Sequence, residues 1–384
     1  MKWKTVMFSS LRHSSYAPGR ALKTRRVGVL LGAMLMSACS QMQMPPVAAK
    51  TATVKSPAMA QVARDVIQGD MVSVLNTLRD IPESGLPAPE AAMRRCVLAR
   101  FDANVADTPA PGLPPAANAI IDSYRRYWRS IMLRQAAANA AEARLLADLN
   151  GILVSDRAAS YDRSSLGEAT DAVVPFLDRL GLHALTGVTS PFYELMLWRS
   201  ETLNKYEVAL PERPVSVSVV FMRDFIVKGW LSYATCDRSG AGGWATKDKL
   251  FAVAESYDLD SEQFKVSYLV HEGQHFADYQ DFPELQSPEL EYRAKLAELV
   301  KSTTTHELFA RFANGGTRGR AVPHAHAQYW LGLRLAEQGI VAGANTGLTA
   351  SDEAIRTAAT RLLQENSREL RAAGAAKVEK VLAD

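Results

Sequence analysis

Residues 271–275 read His-Glu-Gly-Gln-His, and no other stretch of this 384-residue chain restricts its structure as tightly. On an α-helix, positions i and i+4 share one face and stand one turn apart, so two imidazoles at this spacing can reach one ion. The spacing therefore predicts a helix, with His271 and His275 aimed at one ion and Glu272 beside them, within reach of a water. Zinc is the metal such a pair usually binds, and a zinc site that does chemistry keeps one position open. The chain holds only seven His, so the pair is not a by-product of His-rich composition. Phe264, Val266, Tyr268, Leu269, Val270 and Phe276 give residues 261–280 a broad apolar surface. Asp260, with Gln263 three places on, reads as a capping box at the helix start. A Glu beside two His is costly to bury without a partner, which argues against a plain core helix.

Two His leave a metal one protein ligand short. Three acids follow the motif. Asp281 would suit a metzincin-like arrangement, although Asp278 stands where such chains turn on Gly. Glu291 lies in Pro-Glu-Leu-Glu-Tyr-Arg-Ala-Lys-Leu-Ala-Glu (288–298), an amphipathic helix after a Pro-rich turn, and Glu298 lies two turns further on. The plain alternative for Glu291 is a solvated carboxylate paired with Lys295 at i+4.

The motif at 271–275, followed by Glu291 and Ala294 in the order Glu-x-x-Ala, resembles the gluzincin clan of zinc metallopeptidases over about residues 261–300. The resemblance implies Zn2+ held by His271, His275 and Glu291, with Ala294 small enough to let two helices approach. It implies Glu272 as general base and a peptide or protein as substrate. An oxyanion donor would come from a downstream His or Tyr, with His324 the first choice and His326 or Tyr329 as alternatives. Many clan members carry an Asp after that Ala to support the first His. This chain has Lys295 there, which leaves Asp278 or Glu298 to accept the ring's other N–H.

The expected fold class is α+β. It is mainly helical, with a small zincin-like sheet beside the motif helix and a second helix carrying the third ligand. Residues 61–185 read as a helical lobe. Val62, Val66, Val74 and Leu75 suggest an early helix, and Ala117–Leu149 suggests one long helix with an aromatic and aliphatic stripe. Residues 186–384 read as the metallopeptidase domain. Strands are expected over Val215–Met222, Phe225–Ala234 and Leu250–Tyr257. Gly243 and Trp244 are candidates for the strand along which an extended substrate would lie. A final helix is expected within 351–383.

The start of the chain has another logic. Residues 1–38 carry seven Lys or Arg and no acid, then an apolar run from Val27 to Met36, then Ser37-Ala38-Cys39. This order is that of a secretory signal, too short in its apolar part to span a bilayer. Cys39 after small residues resembles a bacterial lipoprotein box, which implies lipid attachment there and a membrane as partner. Ser40 after it implies sorting to the outer membrane, facing the periplasm. Residues 39–60 read as a flexible tether. Loss of residues 1–38 takes the formal net charge from +3 to −4, since seven basic side chains and no acid go. The basic character thus belongs to the signal, and nothing points to nucleic acid. Cys96 and Cys236 remain, and an oxidising compartment would allow them to pair. A second reading is a metal-binding envelope lipoprotein without activity, acting as scaffold or chaperone.

Overall fold

The computed structural model describes residues 57–102, 108–154, 163–313, 315–341 and 350–383. The signal, Cys39 and tether residues 39–56 lie outside them. Residues 57–60, expected in the tether, form the first turn of a helix. No helix among the described residues is long and apolar enough to cross a membrane.

The N-terminal part is helical: α1 (Pro57–Ile67), α2 (Met71–Asp80), α3 (Ala88–Arg100), α4 (Pro115–Met132), α5 (Ala138–Leu153) and α6 (Leu166–Arg179). The single helix expected over 117–149 is two, α4 and α5, and the chain breaks at Arg134, which takes a left-handed φ of 55°. Ile120, Ile121, Tyr124, Tyr127 and Trp128 of α4 are buried, so its stripe is core. The same core takes in Phe192, Leu195, Leu197, Val227 and Trp230. Helical part and sheet therefore share one apolar cluster across residue 185.

The sheet has five strands: β1 (His183–Thr189), β2 (Phe192–Ala209), β3 (Pro214–Lys228), β4 (Gly243–Ala245) and β5 (Leu250–Val253), in the order β1-β2-β3-β5-β4. All pairs are antiparallel except β3 with β5. Among the described residues thirteen α-helical segments accompany this sheet, and the class is α+β. The strand expected over 225–234 ends at Lys228, and α7 (Trp230–Thr235) follows. Gly229 makes the turn at φ +91°, where a Cβ would lie 2.7 Å from Glu194 Oε1. That buried carboxylate accepts the backbone N–H groups of Trp230 (2.9 Å) and Leu195 (3.0 Å). Burial pushes its pKa up to about 7 in spite of those donors. At the end of α7, Cys236 is bonded to Cys96 of α3, 140 residues away.

Side chains alternate across β3. Val217, Val219 and Phe221 face the motif helix, together with Phe264, Tyr268 and Ala277. Val220 and Met222 face the other way, with Met196, Trp198 and Trp244. The motif helix starts at Ser261, whose Oγ accepts the N–H of Phe264, so Ser261 and not Asp260 is the cap. It runs as α8 (Glu262–Phe264), a π-helical stretch (Lys265–Val270) and α9 (His271–Asp281). Then come α10 (Ser287–Lys301), α11 (Thr305–Ala313), α12 (Pro323–Glu337) and α13 (Asp352–Ala373).

Candidate metal centre

His271, His275 and Glu291 offer ligand atoms that all lie within 4.8 Å of one another, close enough to hold a metal ion. The two Nε2 atoms are 3.1 Å apart. His271 Nε2 is 3.5 Å from Glu291 Oε2, and His275 Nε2 is 3.4 Å from Glu291 Oε1. Ligands at zinc distances of about 2.0–2.1 Å in a tetrahedron are separated by about 3.3–3.4 Å, so the triangle fits such an ion. The local cause is simple. α9 stacks its two His on one face, with the rings nearly perpendicular at 88°. α10 lies against α9 and delivers Glu291 on its second turn.

His271 has a support behind it, whereas His275 Nδ1 is buried without a hydrogen-bond partner among the described residues. Glu298 Oε1 is 2.7 Å from His271 Nδ1, so Glu298, one of the two acids expected for this, fixes that ring and leaves Nε2 for a metal. Asp278, the other, is fully buried and engaged elsewhere. It accepts from Gln274 Nε2 and from Arg293 Nε, each at 2.9 Å. Burial alone would discharge His271, but Glu291, Glu298 and Glu272 outweigh it and raise its pKa to about 9. Burial would likewise favour the neutral acid at Glu291, yet His324 and His271 hold its carboxyl well below the usual range.

Glu272 is half-buried, one residue after the first His. It makes no hydrogen bond or ion pair among the described residues. Its charge adds to burial in raising the phenol pKa of Tyr257, Tyr268 and Tyr279. All three lie near enough to Glu272 to feel its charge. Tyr268 and Tyr279 stand four and seven positions from it, a helical spacing that marks the same face. Tyr257 lies outside the helix and carries no such signal.

The other expected residues are distributed as follows. His324, on the first turn of α12, puts Nδ1 2.6 Å from Glu291 Oε2 and is 62% exposed. It therefore sits at the mouth of the centre, on the carboxylate ligand. His326 is fully buried, Nδ1 against the carbonyl of Arg318 at 2.9 Å, and Tyr329 packs on Trp330. Neither makes a contact with the ligand triad. Asp281 pairs with Arg213 at 3.2 Å at the far end of α9. Lys295 is buried with Nζ 3.8 Å from Glu291 Oε2 and 4.8 Å from the centre of the Phe312 ring. The i+4 pair is thus present, but inside the protein instead of on a solvated face.

β4 is the strand at the sheet edge and touches α9. Val253 N–H bonds Gly242 O, and Thr246 N–H bonds Lys249 O. By the alternation of an antiparallel pair, Trp244 bonds inward, and the backbone groups of Gly243 and Ala245 point to the open side. Gly243 has no room for a side chain: a Cβ would meet the Tyr268 ring and Phe251 O, both at 2.4 Å. The Trp244 indole instead stacks on Phe251 (5.2 Å, 12°) on the face away from α9. Of the two residues expected to touch substrate, Gly243 can do so through its backbone, while Trp244's side chain is turned from the metal site.

No known family model matches this chain, and no curated protein or solved structure is detectably similar to it.

Proposed function

We propose that this protein is a zinc-dependent peptidase of the bacterial cell envelope. The observation that carries the reading is the ligand triangle, with Glu298 behind His271 and an uncommitted Glu272 beside it. A zinc ion held by His271, His275 and Glu291 would polarise a scissile carbonyl and make water acidic enough to attack it near neutral pH. Glu272 takes the proton of the attacking water and returns it to the leaving amine. His324, held against Glu291, steadies that carboxylate, and it lies close enough to the mouth to donate to a developing oxyanion. The open side of β4 gives an extended peptide backbone a strand to lie along. The bonded Cys96–Cys236 pair supports an oxidising compartment, in keeping with a signal ending at Cys39 and lipid attachment there.

The test separates metal binding from chemistry. Parent and Glu272→Gln are purified, bound zinc is measured by mass spectrometry, and both are assayed on casein and peptide mixtures. Equal zinc with hydrolysis lost roughly a hundredfold or more in Glu272→Gln is the expected result. Unchanged hydrolysis would remove Glu272 from the mechanism. One observation favours the competing reading of an inactive metal-binding lipoprotein: Lys295 and His324 both crowd Glu291 Oε2. That reading requires a parent that retains zinc and cleaves nothing.

A further inference from the structure

β1 pairs with β2 only as far as Trp198, opposite His183. From residue 199 to residue 209, β2 has β3 on one side and, among the described residues, no strand on the other. This open edge is the far side of the sheet from β4. It carries Arg199, Glu201, Leu203, Lys205 and Glu207, all exposed, with Leu203 at 60%. Lys205 and Glu207 have no charged or hydrogen-bonding partner among the described residues. A bare apolar residue in the middle of an unpaired strand edge is what folded proteins ordinarily avoid.

The charges along this edge are ordered. Let two copies pair antiparallel about a two-fold axis at Leu203. Arg199 then stands opposite Glu207, Glu201 opposite Lys205, and Leu203 opposite itself. Shifting by one residue either way to the axis at 202 sets Arg199 against Lys205. The axis at 204 sets Glu201 against Glu207. Axes halfway between residues bring no opposite charges together. Only one alignment satisfies every charge, and it buries the apolar residue at its centre. Like charges directly opposite destabilise a ladder and opposite ones support it. Two-fold contacts of this self-matching kind are the commonest route to homodimers.

We propose that the protein forms a homodimer through the free edge of β2, residues 199–207, joining two sheets antiparallel about Leu203. In the single chain Glu201 accepts from Trp198 Nε1 (3.2 Å) and lies 3.9 Å from His183 Nδ1, contacts it must share with Lys205 of the second copy. Arg199 reaches the carbonyl of Pro111 at 3.3 Å in the single chain and must share that donor with Glu207 of the second copy. Because β4 is at the opposite edge of the sheet, the dimer leaves the open side of β4 free.

The full chain is used throughout. Leu203→Cys and Lys205→Cys are made separately and oxidised with copper phenanthroline, then run on non-reducing gels. Only position 203 faces its own copy, so Leu203→Cys is expected to cross-link to a dimer and Lys205→Cys is not. The same comparison controls for the other cysteines, which both variants share. In sedimentation measurements Lys205→Glu and Glu201→Lys each raise the dimer dissociation constant roughly tenfold or more, and the double swap restores it. Lys205→Glu leaves the Trp198 contact alone, which guards against a folding artefact at Glu201. A chain that stays monomeric, equal cross-linking at 203 and 205, or a double swap that fails to restore pairing would each overturn the proposal. So would capture of a different protein's strand on this edge. None of these outcomes bears on zinc or hydrolysis.

Discussion

Glu298 holds the first ligand in place, and the cost of losing it can be stated. Glu298→Gln keeps the size of the side chain but removes the charge that faces His271 Nδ1. Zinc affinity, read by competition with a chelator, is expected to fall roughly 10–100-fold. His271 also ties the metal-free protein to pH. Its pKa in the folded chain is raised to about 9, above an ordinary 6.5. The stabilisation is therefore complete below pH 6.5 and is lost as pH climbs to about 9. Chelator-treated protein should melt at progressively lower temperature across that window, while zinc uptake should strengthen, since binding expels the same proton. At this scale the sequence is most legible where spacing is local. His271 and His275 share a face by helical geometry alone, and Glu291 follows on the next helix. The choice between Asp278 and Glu298 is different. It depends on how α9 and α10 are rotated about their axes, which no local pattern encodes. Trp244 was read from its neighbourhood, and only strand pairing reveals which way its indole turns.

Among the elements, α9 and α10 must keep a fixed angle for His and Glu to converge, and Arg293 is placed to hold it. This side chain is 1% exposed. It donates to Asp278 of α9, to Asn366 (2.9 Å) and Ser367 (3.0 Å) of α13, and pairs with Glu212 at 3.5 Å in the β2–β3 turn. Its guanidinium also lies 4.8 Å from the Phe282 ring centre. Arg293→Met leaves Asp278 buried without its cation, which should cost about 3–5 kcal/mol in urea unfolding. Lys in its place should recover only part, because one ammonium cannot span three elements as a planar fork does. The elements themselves differ in legibility. α13 and β3 follow from their periodicity; α10 is a helix as expected, but it is buried almost all round and not amphipathic. β1 and β2 do not follow from theirs: near its start β2 carries Leu195, Met196, Leu197 and Trp198, an unbroken buried run that shows no alternation. It is buried on one side by α4 and on the other by the cluster around Trp198 and Met222, a context that lies far off in the chain.

For the whole molecule, the disulfide is the strongest long-range tie. Cys96 and Cys236 close a loop of 140 residues that takes in α4, α5, α6 and the first three strands. Closing so long a loop removes much freedom from the unfolded chain. Cys96→Ser is expected to lower unfolding free energy by about 2–5 kcal/mol, measured by denaturant titration with and without reductant. That the two cysteines meet could not be read from the sequence, since it depends on α3 lying beside α7. The α+β class could be read, because helical and strand patterns occupy different stretches. A boundary near residue 185 was also expected, but one apolar cluster crosses it, so the helical part and the sheet are expected to unfold together.

The same sulfur–sulfur link bears on survival among proteases. A single cut in the backbone anywhere from Val97 to Thr235 would leave both pieces fastened to each other, and the clipped molecule would run as one species until a thiol was added.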